Sequence, residues 1–493
     1  MATHPLIYEI NARCWLGELS EARGEPVDLA HVPEGEFLRW MRMGFTHVWL
    51  MGVWEVGPRA RAEARGSREL QREGRTLLAG FQSADLAGSP YAIAGYRVAP
   101  AFGGDDALRR FRQELNRHGL RLVLDFVPNH LGLDHPWVQA HPDWFVHARS
   151  PLPGTFRQTG GASTLWLAHG RDPNFPPWPD TVQLDVRRSD TRAALITELL
   201  AVAARCDAIR CDMAMLVLEE VFDRSWAGFP PASSRASGEF WAEAIQAVRA
   251  VRRDVELIAE VYWDLEPRLL SLGFDYAYDK RFYDHLVTQS PAAVVQHLES
   301  QPAEMQARSL RFLENHDEQR AAQVWPARTH QAAALLLLGL PGARLLHEGQ
   351  LEGLRRRVPV QLKRRPTDPG DPQITEMYSR LLEAVQRSAV GRGEARWLRA
   401  RPAAPDNPSH RAFALVQWQV RPDAFDLVVV NLSPSQGQAF APVVVPPIAQ
   451  RWRLSGLLGP EAYERDSADL RQRGLFLDVP GYATQIFHFT RAG

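Results

Sequence analysis

Three carboxylic acids stand at the ends of three apolar, strand-like runs: Asp212 after Ala208-Ile209-Arg210-Cys211, Glu260 after Leu257-Ile258-Ala259, and Asp317 at the close of Leu310-Arg311-Phe312-Leu313-Glu314-Asn315-His316. A charge at the end of a buried strand costs several kcal/mol unless it is paired or used. Three such ends in one chain imply convergence on one site. Arg210 precedes Asp212 by two residues, so on a strand both side chains share a face. A guanidinium there keeps a carboxylate ionised and oriented, as a covalent nucleophile requires; a structural Arg–Asp pair is the other reading. Tyr262 and Trp263 follow Glu260, and aromatic neighbours raise a carboxyl pKa toward that of a general acid; a helix-capping Glu is the alternative. His316 and Asp317 can hydrogen-bond sugar hydroxyls or satisfy a strand end. Asp125-Phe126-Val127-Pro128-Asn129-His130 closes a further strand. Asp125 and Asn129 there could brace neighbouring strands or bind a metal, and His130 could reach a ligand hydroxyl or be a satisfied structural residue.

The elements that position these residues alternate. Strand-like runs at Leu6–Ile10, His47–Trp54, Arg121–Val127, Ala208–Ala214, Glu256–Val261, Phe274–Tyr278, Ser309–Leu313 and Ala343–His347 are separated by helical patterns at Glu36–Met43, Asp106–Arg117, Thr191–Arg205, Gly238–Arg253 and Gln331–Leu338. Alternation implies a parallel sheet with helices outside, and eight strands imply a closed (β/α)8 TIM barrel whose active residues lie at the C-terminal strand ends. Two long connections interrupt it, 55–105 and 131–187. After residue 390 the runs Ala412–Trp418, Asp426–Asn431 and Thr484–Phe489 read as strands without helices. The α/β reading is therefore a barrel over 1–130 and 188–388, a short inserted subdomain over 131–187, and a C-terminal antiparallel β-sandwich over 389–493.

Composition sets limits. The 493 residues carry a net charge of −1 and 45% hydrophobic content, which disfavours nucleic-acid and anionic-membrane partners and suits a weakly charged ligand. The three cysteines, Cys14, Cys206 and Cys211, have no spacing of a disulfide framework or zinc site. The start shows no signal peptide and no apolar run spans a bilayer, so a cytoplasmic location is the expectation. Oligomeric state is not read from sequence.

Four segments taken in order resemble the signature regions of the α-amylase family, glycoside hydrolase family 13: Asp125 to His130, Ile209 to Asp212, Ile258-Ala259-Glu260-Val261, and Phe312 to Asp317. Gly88-Ser89-Pro90-Tyr91-Ala92-Ile93 resembles the family loop after strand two, and Gln183-Leu184-Asp185-Val186 its short motif near the end of the insert. The resemblance spans the whole chain. It implies a retaining enzyme on α-1,4-glucans with Asp212 as nucleophile, Glu260 as general acid/base and Asp317 as the third carboxylate. Tyr91, His130, Arg210, His316 and Asp125 are then substrate-binding. A glucan transglycosylase using the same carboxylates is the alternative. No cofactor is required; Asn129 matches a calcium-binding Asn of the family, so calcium is an expectation whose other ligands are unassigned.

Departures from the family pattern are also present. Met213-Ala214 stands where many amylases have Lys-His, which alters acceptor-side recognition. His347, Glu348 and Gln350 replace the usual pattern after strand eight and are extra substrate contacts or strand-end packing. Arg355-Arg356-Arg357 with Lys363-Arg364-Arg365 reads as a solvated, ion-paired loop or as a site for an acidic sugar. Trp137, Trp166 and Trp178 are a sugar platform or the core of the insert.

Overall fold

The structure, a computed structural model, describes residues 4–158, 164–230 and 235–492. Eight parallel strands close a barrel: β1 Leu6–Asn11, β2 His47–Met51, β3 Arg121–Phe126, β4 Ala208–Cys211, β5 Glu256–Ala259, β6 Tyr276–Tyr278, β7 Ser309–Phe312 and β8 Ala343–His347. Each pairs with its neighbours in chain order, and β1 closes on β8 with Glu9 opposite His347. The strands are buried on both faces. This accounts for apolar runs without polar alternation.

The long connection after β2 is not irregular. Helices Pro58–Gly66 and Arg68–Leu77 fill it, and strands Trp54–Val56 and Ile93–Val98 pair antiparallel at its base. This hairpin returns the chain at Tyr91 to the barrel mouth. After β3, strand His130–Gly132 pairs antiparallel with Thr181–Gln183, placing His130 opposite Gln183. A three-stranded sheet (His147–Ala148, Thr155–Gln158, Leu165–Ala168) completes the insert.

The C-terminal part contains more strands than the sequence pattern suggests. Beside Phe413–Arg421, Ala424–Asn431 and Thr484–Arg491 lie Glu394–Trp397, Arg451–Gly456 and Ala462–Asp466 in one six-stranded sheet; Arg401–Pro402, Gly437–Ala441 and Leu475–Val479 form a second. A short helix, Ser467–Gln472, interrupts the strands, where none was expected. The missed strands alternate exposed and buried residues over short lengths, a weak periodic signal.

The large sheet is buried on both faces. Ala414, Val416, Trp418, Val428 and Val430 pack into the barrel's core, whereas Phe413, Leu415, Phe425, Leu427 and Val429 face the second sheet. Trp418 Nε1 donates to Gly339 O at 2.8 Å, and a Cβ on Gly339 would lie 2.7 Å from Val428. Helix Ala327–Gly339 therefore seats directly on the sheet. This helix is the longest apolar run; no helix among the described residues is long and apolar enough to cross a membrane.

Candidate active site

Each of the three carboxylates is placed by backbone that continues past its strand. Asp212 N donates to Phe126 O at 2.8 Å and Glu260 N to Cys211 O at 3.1 Å, so the parallel ladder runs one residue beyond β4 and β5. Asp317 lies on a turn after β7. Asn315 Oδ1 accepts from Asp317 N and Glu318 N, each at 2.9 Å. All three acids line one cleft of about 800 Å³ at the C-terminal mouth of the barrel.

Beneath the cleft floor lies Arg210, fully buried. Its Nη1 donates to Asp212 Oδ1 at 2.8 Å and its Nη2 lies 2.8 Å from Glu260 Oε2. Asp125, in register with Arg210 on β3, is 3.4 Å from Nη1 and also accepts from Trp49 Nε1 at 3.0 Å. One guanidinium cannot neutralise three buried carboxylates. Burial pushes Asp125 up to about 7 against the pull of Arg210. Asp212 and Glu260 are likewise raised by burial and opposed by Arg210, with Asp317 adding repulsion to both and Asp212 to Glu260. Protons on these acids belong to the cluster, not to one residue.

Glu260 receives further donors. Tyr262 OH donates to Oε1 at 2.8 Å and the Met213 amide to Oε2 at 2.6 Å. The aromatic neighbour expected to desolvate Glu260 thus also hydrogen-bonds it. Met213 is left-handed (φ 43°), as are Trp263 and Asp264 (φ 63° each). Non-glycine residues rarely adopt this conformation, and three of them flank Asp212 and Glu260. At Met213 it aims the amide at Glu260.

Asp317 behaves differently. Its side chain is 53% exposed to the cleft, and His316 Nε2 lies 3.1 Å from Oδ2. Partial desolvation by the cleft walls raises its pKa, but the His316 charge and hydrogen bond outweigh this and hold it at about 2. Tyr91 OH is 2.9 Å from the same His316 nitrogen, and the two rings stack at 5.4 Å. His130 also lines the cleft, against the Trp178 ring at 4.9 Å; burial keeps it neutral, at about 3.

Of the expected substrate contacts, Tyr91 and His130 line the open volume. Arg210 and His316 lie below it and touch the acids, and Asp125 lies beside Arg210. Trp178 belongs to the cleft wall, whereas Trp137 packs on Trp144 at 5.1 Å and Trp166 pairs across a strand with Arg157. His347, Glu348 and Gln350 do not line the cleft. They bond Arg320, Arg365 and the Tyr378 hydroxyl, as strand-end packing. Three arginines of the basic cluster are ion-paired: Arg357 to Glu73, Arg364 to Asp85, Arg365 to Glu348 and Glu18. Glu9, which belongs to none of the four motifs, bonds His316 from β1. Its signal in the chain is a lone carboxylate inside the apolar run Leu6–Ile10.

A calcium ion does not fit at Asn129. Gln183 Nε2 donates there, 2.9 Å from Asn129 Oδ1 and 2.8 Å from Asn129 O, with Leu184 O at 3.3 Å. The amide nitrogen thus hydrogen-bonds the oxygens that a cation would need as ligands. Among the described residues no group of three or more His, Cys, Asp or Glu is disposed to hold a metal.

The family model described as α-amylase, catalytic domain, matches residues 41–166. Curated relatives include a cyclomaltodextrinase of Geobacillus thermopakistaniensis, 22% identical over 428 residues, covering 80% of this chain and 64% of the relative. Another is α-1,4-glucan:maltose-1-phosphate maltosyltransferase 2 of Streptomyces coelicolor, 33% identical over 147 residues, covering 27% of this chain and 19% of the relative. The chain thus aligns with less than two thirds of either relative's length. Among solved structures, a noncanonic maltogenic α-amylase from Thermotoga neapolitana superposes with a TM-score of 0.69 at 20% identity, covering 99% of both chains. An α-amylase from Geobacillus thermoleovorans, complexed with acarbose, does so at 0.67 and 18%, again covering 99% of both. These two likenesses give the fold. Together with the matched catalytic-domain model and the four ordered motifs, they lead to one conclusion: the chain belongs to the α-amylase family.

Proposed function

We propose that the protein is a retaining α-glucan hydrolase of the α-amylase type, cleaving α-1,4 bonds through a covalent glycosyl-enzyme. The observation that carries this reading is the bridge from Arg210 to both Asp212 and Glu260, at 2.8 Å each, under a cleft that Asp317 also faces. Two acids held on the terminal nitrogens of one guanidinium stay close. That suits the separation of about 5 Å of a retaining pair, not the roughly 6.5–9.5 Å that leaves room for water in an inverting one.

In this reading Asp212 attacks the anomeric carbon while Glu260 gives its proton to the departing glycosidic oxygen. The C1–O bond breaks as the Asp212 ester forms. Glu260, now ionised, takes a proton from water, whose oxygen attacks C1 and releases Asp212 as carboxylate. Asp317, ionised and open to the cleft, binds ring hydroxyls and favours the positively charged transition state.

The cleft favours an uncharged donor. Nine lining side chains are carboxylic acids, and the two cations, Lys280 and Arg281, are paired to Asp284, Glu318 and Asp264. A sugar phosphate of the kind named for the maltosyltransferase relatives would meet repulsion here. Glucan transfer is the second reading. Met213 in place of Lys-His, with Phe175 (66% exposed) and Trp263 (38% exposed) on the cleft rim, offers apolar surface for an acceptor sugar. Three buried free cysteines support a reducing, cytoplasmic setting.

Maltoheptaose incubated with purified protein and resolved by chain length decides between the readings. Only shorter products indicate hydrolysis; products longer than the input indicate transfer. Turnover of maltose 1-phosphate in preference to maltoheptaose overturns the uncharged-donor reading.

A further inference from the structure

Glu9 is a fully buried acid of the barrel interior with no place in the chemistry above. Its exposure is 0%, its Oε1 is 2.5 Å from His316 Nδ1, and its Oε2 has no partner among the described residues. A lone buried carboxylate is strongly unfavourable unless a charge answers it. His316 is the group that answers. Its ring is clamped edge-on by Trp49 at 5.6 Å and stacked by Tyr91 at 5.4 Å. The other nitrogen, Nε2, lies 3.1 Å from Asp317 Oδ2 and 2.9 Å from Tyr91 OH.

An ionised carboxylate only accepts hydrogen bonds. With Glu9 at Nδ1 and Asp317 at Nε2 both ionised, each ring nitrogen donates, and His316 then carries two protons. We propose that Glu9 is a positioning residue of this site: from the barrel interior it holds the second proton on His316, and the Nε2–H fixes the Asp317 carboxylate at the cleft. This rests on the glycosidase reading for its consequence but not for its geometry. The direction of titration agrees, since the two carboxylates hold His316 well above the usual histidine range despite its burial. The groups facing His316 are Glu9 from β1, Asp125 from β3, Asp212 after β4, His347 from β8, Tyr91 and Asp317.

The test is Glu9→Gln, which keeps shape and one acceptor but removes the charge. Nitrogen-15 NMR of the imidazoles should show wild-type His316 protonated on both nitrogens at neutral pH, and the variant losing a proton at least about one pH unit lower. With maltoheptaose the variant should lose about tenfold or more in kcat with KM changed less than about threefold. The alkaline limb of its activity should move to lower pH, because the working form of His316 is the protonated one. Glu9→Asp, which restores the charge, should return the limb toward wild type. An unchanged His316 titration and pH profile in folded Glu9→Gln overturns the proposal. If that variant does not fold, a singly protonated His316 in the wild type at neutral pH overturns it, and a doubly protonated one upholds it. Wild-type protein inactive on every glucan defeats the glycosidase reading and leaves the NMR result to decide the Glu9–His316 pair.

Discussion

Arg210 and Glu260 meet at 2.8 Å, Nη2 to Oε2, while the other terminal nitrogen of the same guanidinium holds Asp212. The proposed nucleophile and the proposed acid are thus tied to one cation. Neither can move or change charge without the other responding. The consequences can be measured.

Asp212→Asn and Glu260→Gln should each lower maltoheptaose turnover by about 10²-fold or more while circular dichroism stays that of wild type. Near-normal turnover in either removes the assignment of roles.

Removal of Arg210 should be a stability defect as well as a catalytic one. Arg210→Met leaves Asp125, Asp212 and Glu260 buried without the guanidinium they share. Breaking such a cluster from one side costs about 3–5 kcal/mol. Urea unfolding should report it. A variant as stable as wild type would mean that protons, not Arg210, neutralise the acids.

The acid limb of kcat/KM should belong to the Asp212–Glu260 pair. Both are raised by burial, so the limb should lie above the ordinary carboxylate value of about 4, whereas Asp317 stays ionised down to about 2. Asp317 raises both partners by repulsion. Asp317→Asn should therefore lower kcat and also shift the acid limb to lower pH, and a shift the other way contradicts the arrangement.

Chelation should leave activity and thermal midpoint unchanged, because Gln183 Nε2 holds the oxygens around Asn129. Gln183→Leu should cost about 1–3 kcal/mol by leaving buried carbonyls unpaired. A midpoint that drops with chelator would mean that a cation binds elsewhere.

Trp263→Ala should raise KM for maltoheptaose roughly two- to tenfold, the scale of one aromatic contact, with kcat less affected. If transfer occurs at all, loss of this rim aromatic should shift products toward hydrolysis. Unchanged kinetics would place Trp263 outside the sugar path.

Much of this protein was legible along the chain. The eight barrel strands are runs of buried residues, and burial on both faces leaves no polar alternation to confuse them. Asp212, Glu260 and Asp317 stood out because an acid closing an apolar strand is costly, and that cost is local to the sequence. Glu9 carries the same signal within Leu6–Ile10, but its partner His316 is 307 positions away. Partnership across the barrel depends on closure, which brings β1 beside β8 and under the turn after β7. The same closure placed Arg210 below the cleft, in contact with acids instead of open volume, and put Gln183 against Asn129. Residue types and their spacing along a strand are properties of the chain, and they named the acids. Which acid shares which proton depends on distances between strands, and those exist only once the barrel is closed.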